Sequence, residues 1–132
     1  MRELFSRITF NILIGNTDDH ARNHAAFWDG DELTLTPAYD VCPYPRFGGE
    51  ASQIMAIDRI GTRRSQVVVC VAAADIYHLD PDEAHAIIDE QIATIRTNWE
   101  EVCDLARMTV VDRKQLWSTA ILNPYATYDY QS

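Results

Sequence analysis

The chain has 132 residues, 47% hydrophobic and 23% charged, the proportions of one ordinary globular domain with enough apolar material for a real core. Its 11 Lys and Arg against 20 Asp and Glu give a net charge of −9, which excludes broad binding to a phosphate backbone as a first expectation, since that needs clustered cations. The cysteines, Cys42, Cys70 and Cys103, are odd in number and form no C-x-x-C, and no run approaches the ~20 apolar residues of a membrane span. With no signal-peptide core at the N-terminus, the expectation is a cytoplasmic protein with reduced thiols, no membrane contact and no direct nucleic-acid contact.

Residues 3–14 place Leu4, Phe5, Ile8 and Ile12 at helical spacing, with Phe10, Leu13 and Ile14 off that stripe. A helix apolar on most sides belongs in the interior. Gly15-Asn16-Thr17 breaks it, and a polar run, Asp18-Asp19-His20-Ala21-Arg22-Asn23, follows directly. Ala25-Ala26-Phe27-Trp28 and Glu32-Leu33-Thr34-Leu35-Thr36 flank Asp29-Gly30-Asp31, the signature of a short β-hairpin. The prolines and the Gly48-Gly49 pair between residues 42 and 53 predict an irregular loop, and residues 54–58 predict one more strand.

The rest reads as helical. Residues 66–77 predict a buried helix from their Val and Ala content. Asp80-Pro81-Asp82-Glu83 is a helix start, with an N-cap Asp, Pro at the first position and Glu in a capping box. The helix it opens carries Ala84, Ile87, Ile88, Ile92, Ile95, Trp99, Val102 and Leu105 on one face. A last helix is expected over 111–122, ended by Asn123-Pro124, with a loose tyrosine-bearing tail at 123–132. The fold class expected is mainly α with a small β-hairpin.

Phosphoryl transfer to a hydroxyl requires a carboxylate that orients the acceptor and takes its proton, and oxygen ligands that hold Mg²⁺ against nucleotide phosphates. Asp18 and Asn23 stand five residues apart, and Asp40 follows the predicted hairpin, the order in which protein kinases place their catalytic-loop Asp and Asn and their metal-binding Asp. Five residues after Asp19 stands His24, a poor ligand for a hard cation, so Asp18 is the better base. By itself the Asp18–Asn23 spacing also suits a turn cap and a hairpin start; Asp40 in the right place favours the chemical reading.

Gly15-Asn16-Thr17-Asp18-Asp19-His20-Ala21-Arg22-Asn23, followed by Leu33-Thr34-Leu35-Thr36-Pro37-Ala38-Tyr39-Asp40-Val41, resembles the C-terminal part of the HipA family of bacterial serine/threonine kinases, where the pattern is approximately T-D-x-H-x-[KR]-N, then L-[TA]-P-x-Y-D. The resemblance implies the C-lobe of a protein-kinase-like fold over residues 1–122. It implies Asp18 as catalytic residue, Asn23 and Asp40 as Mg²⁺ ligands on the ATP side, and His20 as the residue shaping the loop. It further implies phosphorylation of protein hydroxyls, including on glutamyl-tRNA ligase, and a toxin restrained by a DNA-binding antitoxin.

Departures from the pattern matter equally. Only 17 residues precede Asp18, they contain no lysine, and the single lysine, Lys114, lies far downstream. An N-lobe that clamps ATP is therefore expected from elsewhere, and the chain alone is expected to be inactive. Two other readings stay open: a non-catalytic remnant whose uncovered apolar surface binds an N-lobe, an antitoxin or a second copy of the chain, and the lobe of a small-molecule phosphotransferase.

Several residues have plainer readings. His20 and His24 lack a further Cys or His for zinc. His78 and His85 are expected at the surface, Arg63-Arg64 on a solvated face, Trp99 in the core, and Trp28 and Trp117 in packing. Cys42, two residues past Asp40, stands near the cleft with nothing to activate its thiol.

Overall fold

A computed structural model describes residues 1–131. Helix α1 (Arg2–Leu13) buries Phe5, Ile8, Ile12 and Leu13, as its apolar pattern predicts. A short 3-10 turn, Ala21–Asn23, closes the polar run, and strands β1 (Ala26–Trp28) and β2 (Leu33–Leu35) form the expected antiparallel hairpin, with Phe27 opposite Thr34. Helix α2 (Val67–Ala72), a 3-10 turn (Ala74–Tyr77), α3 (Pro81–Leu105) and α4 (Val110–Thr119) complete a mainly helical fold with one two-stranded sheet. No helix among the described residues is long and apolar enough to cross a membrane.

The core lies where α1, α2 and the first half of α3 meet. Phe5, Ile12, Val67, Cys70, Ala84 and Ile88 are fully buried, and Phe5 packs edge-on against Tyr77 at 5.4 Å between ring centroids. The expected capping box is present: Asp80 accepts from the Glu83 amide at 2.8 Å and Glu83 accepts from the Asp80 amide at 3.1 Å. Burial pushes the Cys70 thiol up to about 12, which makes it a packing group.

The fold departs from the sequence expectations in several places. Residues 54–58 form bends with no strand; the Asp58 carboxylate accepts from the amides of Ile60 (3.1 Å) and Thr62 (2.7 Å) and gathers the chain into a turn. The helix expected over 66–77 splits into α2 and the 3-10 turn, which ends at His78 in the left-handed region (φ 58°). Helix α4 stops at Thr119 and buries no residue. Trp99 is half-buried and lies against Trp117, 5.3 Å between centroids, away from the core cluster. At ~1.5 Å of rise per residue, α3 outruns the helices that cover its first half, which leaves Val102 and Leu105 exposed.

Trp28 also departs from expectation: it is 62% exposed on the hairpin, beside exposed Phe27 and Leu33. The C-terminal segment, by contrast, is anchored as far as Tyr130, while residue 132 of the expected tail lies outside the described residues. Ala126 is fully buried and accepts from the Val67 amide at 2.9 Å. Tyr130 donates to Asp89 at 2.8 Å and stacks on His85, which is therefore covered by a ring instead of standing free. Tyr128 remains exposed.

Gly15 joins this frame to the polar run. Its φ is +75°, and a Cβ there would meet the Ala120 carbonyl oxygen at 3.0 Å. Next to it, the Leu122 amide donates to the Leu13 carbonyl at 2.7 Å, so the segment after α4 presses on the end of α1. Backbone strain and contact act together, and Gly15→Ala is expected to lower stability by about 1–3 kcal/mol. The measurement is a urea titration, read as a lower midpoint at unchanged slope.

Candidate functional site

The site begins where α1 ends. Asn16 is buried, and its Nδ2 donates to Asn11 Oδ1 (3.0 Å) and to the Asp40 carbonyl (3.2 Å), while its own carbonyl accepts from Gln53 Nε2 (3.1 Å). One buried amide thus links the helix end, the loop after the hairpin and residue 40. Arg7 on α1 donates to the Thr36 carbonyl and pairs with Glu3, which ties the end of β2 to the same helix. Tyr39 donates to the Arg22 carbonyl, joining the residue before Asp40 to the residue before Asn23.

These links bring the two halves of the sequence pattern together. Asn23 is buried, and its Nδ2 donates to Asp40 Oδ2 at 2.9 Å. Asp40 adopts φ 57°, a left-handed conformation that costs a non-glycine residue about 1–3 kcal/mol and survives where surroundings enforce it. Here Asn16 grips its carbonyl and Asn23 its carboxylate. Asp18 has a side chain 50% exposed, and one of its oxygens lies 2.9 Å from His20 Nε2. Loss of water contact and then the negative charges of Asp18, Cys42 and Asp40 raise the ionisation of the Tyr44 phenol above its ordinary range, so the Asp18 and Asp40 carboxylates act on one neighbour.

The second acid of the loop has a different place. Asp19 is 2% exposed and lies 2.7 Å from His24 Nε2. The two histidines of the run therefore serve different carboxylates. Cys42 is exposed, two residues beyond Asp40.

With the loop, the hairpin and Asp40 assembled on α1, comparison with protein families becomes decisive: the model for the HipA-like C-terminal domain matches residues 1–99. The chain belongs to the HipA-like C-terminal domain family. The matched stretch takes in every residue of the HipA-like pattern and ends within α3, so Val102, Leu105 and α4 lie beyond it. Comparisons with curated proteins and with solved structures returned no match.

The donor set of this HipA-like domain suits Mg²⁺. Asn23 spends its amide nitrogen on Asp40, and among the described residues its carbonyl oxygen and Asp40 Oδ1 make no other hydrogen bond. Two protein oxygens are what a small hard cation asks for, because Mg²⁺ keeps several waters and completes its shell with substrate phosphates. Among the described residues no group of three or more His, Cys, Asp or Glu forms a ready metal cage.

Sequence reasoning missed Asn16, Gln53 and the Asp19–His24 pair. Asn16 carried one signal, a polar residue beside a glycine directly after a buried helix. Gln53, in the irregular loop, carried none.

Proposed function

We propose that this chain is the catalytic-loop portion of a HipA-like serine/threonine protein kinase, with the C-lobe of a protein-kinase-like fold. It acts in the cytoplasm with a complementary lobe that clamps ATP, as the toxin of a toxin–antitoxin pair. The observation that carries the reading is the 2.9 Å contact between Asn23 and Asp40, two residues 17 positions apart that the HipA-like pattern pairs as metal ligands. Asp18, on the same loop and half exposed, supplies the remaining group.

In this reading Asp18 accepts a hydrogen bond from the acceptor Ser or Thr hydroxyl and takes its proton as the oxygen bonds to the γ-phosphorus and the bond to the β–γ bridging oxygen breaks. His20, with Nε2 2.9 Å from one Asp18 oxygen, shapes the loop around the base. Asn23 and Asp40 would hold Mg²⁺. When bound, the ion supplies positive charge against the phosphate oxygens. The nucleotide clamp comes from residues outside these 132, since the one lysine, Lys114, stands on α4.

The test is reconstitution of the chain with a HipA-like N-lobe, in one polypeptide or two. Transfer of radiolabelled γ-phosphate to protein Ser or Thr, dependent on Mg²⁺ and absent with either part alone, is the expected result. Labelling of small hydroxyl compounds in place of protein would point to a small-molecule phosphotransferase, and no transfer at all would sink the catalytic reading. One observation favours a second reading, a non-catalytic module that docks a lobe, an antitoxin or its own copy: Phe27, Trp28 and Leu33 are 64%, 62% and 66% exposed on one hairpin.

A further inference from the structure

Asp19 and His24 were set aside as candidates for the chemistry, yet they are the more buried pair of the loop. Their side chains are 3% and 11% exposed, and Asp19 Oδ1 lies 2.7 Å from His24 Nε2. Their positions matter more than their burial. Asp19 directly follows Asp18 and His24 directly follows Asn23, so the contact closes a ring across the same five-residue interval that separates the proposed base from the proposed metal ligand. We propose that the Asp19–His24 hydrogen bond is a clamp that fixes where Asp18 stands relative to Asn23, a positioning pair acting through its two neighbours. The proposal rests on the kinase reading for its catalytic meaning.

Four observations support it. The carboxylate accepts, so the ring presents its Nε2–H, a charge-assisted bond of the strong kind. Behind the loop lies a cavity of about 190 Å³, lined by Asp19, Asn23 and His24 from the loop and by Arg7, Phe10 and Gln91 from α1 and α3. Close packing does not hold that side of the loop, and directed bonds have to. The loop's backbone-to-backbone bonds are short-range, Asn23 N to the His20 carbonyl at 2.9 Å and His24 N to the Ala21 carbonyl at 3.2 Å, and the bonds from Tyr39 to the Arg22 carbonyl and from Asn23 to Asp40 tie down its far end without reaching Asp18 or Asp19. A lone 3-10 turn has poor hydrogen-bond geometry and holds its ends weakly. Joining Asp19 to His24 removes that freedom. His24 Nδ1 is buried and makes no hydrogen bond within the described residues, so Asp19 is the partner that orients the ring.

The test uses the chain as purified, with two readouts. The first is amide hydrogen exchange by NMR at Asn23 and His24. The second is Mn²⁺ affinity, Mn²⁺ standing in for Mg²⁺, by water-proton relaxation. In His24→Ala the two amides are expected to exchange about tenfold faster or more, the worth of one hydrogen bond to a charged group, and Mn²⁺ to bind about 10–100-fold more weakly, as when a supporting partner of a metal ligand is lost. His24→Gln, whose amide nitrogen falls near the position of Nε2, is expected to restore most of both. A His24→Ala chain that is folded by circular dichroism and keeps wild-type exchange and affinity overturns the clamp. If His24→Ala fails to fold, His24→Gln decides, because a folded Gln variant as loose and as weak as a broken clamp overturns it too. Asp40→Asn separates the two levels. If wild-type Mn²⁺ binding is absent or indifferent to that change, the metal reading falls, while amide exchange still judges the clamp.

Discussion

Asp18→Ala in a reconstituted two-lobed enzyme is expected to reduce phosphoryl transfer by about 10²–10⁴-fold, the usual worth of a positioned acid–base group. In the proposed mechanism the loss belongs in kcat, because there Asp18 would meet the acceptor hydroxyl while Asn23 and Asp40 would hold the metal on the nucleotide side. Nucleotide binding to the reconstituted enzyme is expected to stay within a few-fold of wild type. The fold is expected to tolerate the change, since the Asp18 side chain is half exposed and its partner His20 is itself 26% exposed. Asp19→Ala makes the informative contrast. It removes a carboxylate that is 2% exposed and bound to His24, so its effect is expected in loop order and metal affinity as well as in rate. An Asp18→Ala enzyme with wild-type kcat would remove Asp18 from the mechanism and leave Asp19 as the carboxylate to examine.

The parts of this molecule that could be read from the chain are those whose physics is local. The Asp80 capping box, the Asp29-Gly30 turn and the burial of α1 each depend on residues within a few positions of one another, and each is present. The order of Asp18, Asn23 and Asp40 marked a candidate site because the chemistry it would serve fixes residue type and order, and the meeting of Asn23 with Asp40 followed from a hairpin that could itself be read. What escaped depends on partners distant in sequence. Asn16 reaches Asp40 24 positions away, and Tyr130 reaches Asp89 41 positions away, so neither the buried amide nor the docked tail has a local signature. Trp99 shows the same limit from the other side. Its place on the apolar stripe of α3 was correct, but whether a stripe is covered depends on how far the opposing helices extend, and α1 and α2 stop short.

The phenylalanines of α1 and β1 carry the second large expectation. Phe5 is fully buried against Tyr77, whose hydroxyl donates to the Ile57 carbonyl at 2.9 Å, so Phe5 backs both the helix that carries the site and the turn at residues 57–62. Phe5→Ala is expected to cost about 3–5 kcal/mol by lost burial and the cavity left behind, a large share of the about 5–15 kcal/mol that holds a typical domain folded. Equilibrium unfolding in urea measures it. Phe27 is 64% exposed on β1, so Phe27→Ser is expected to change stability by no more than about 0.5 kcal/mol, the range of surface substitutions. If the hairpin face is where a complementary lobe sits, the same Phe27→Ser that leaves the lone chain unmoved weakens reconstitution, seen as a higher lobe concentration for half-maximal activity. A Phe27→Ser chain that reconstitutes like wild type would place the docking surface elsewhere. The two substitutions thus divide one residue type by its place: Phe5 holds the frame on which the loop is mounted, and Phe27 stands exposed on the hairpin, where only a partner would make its loss felt.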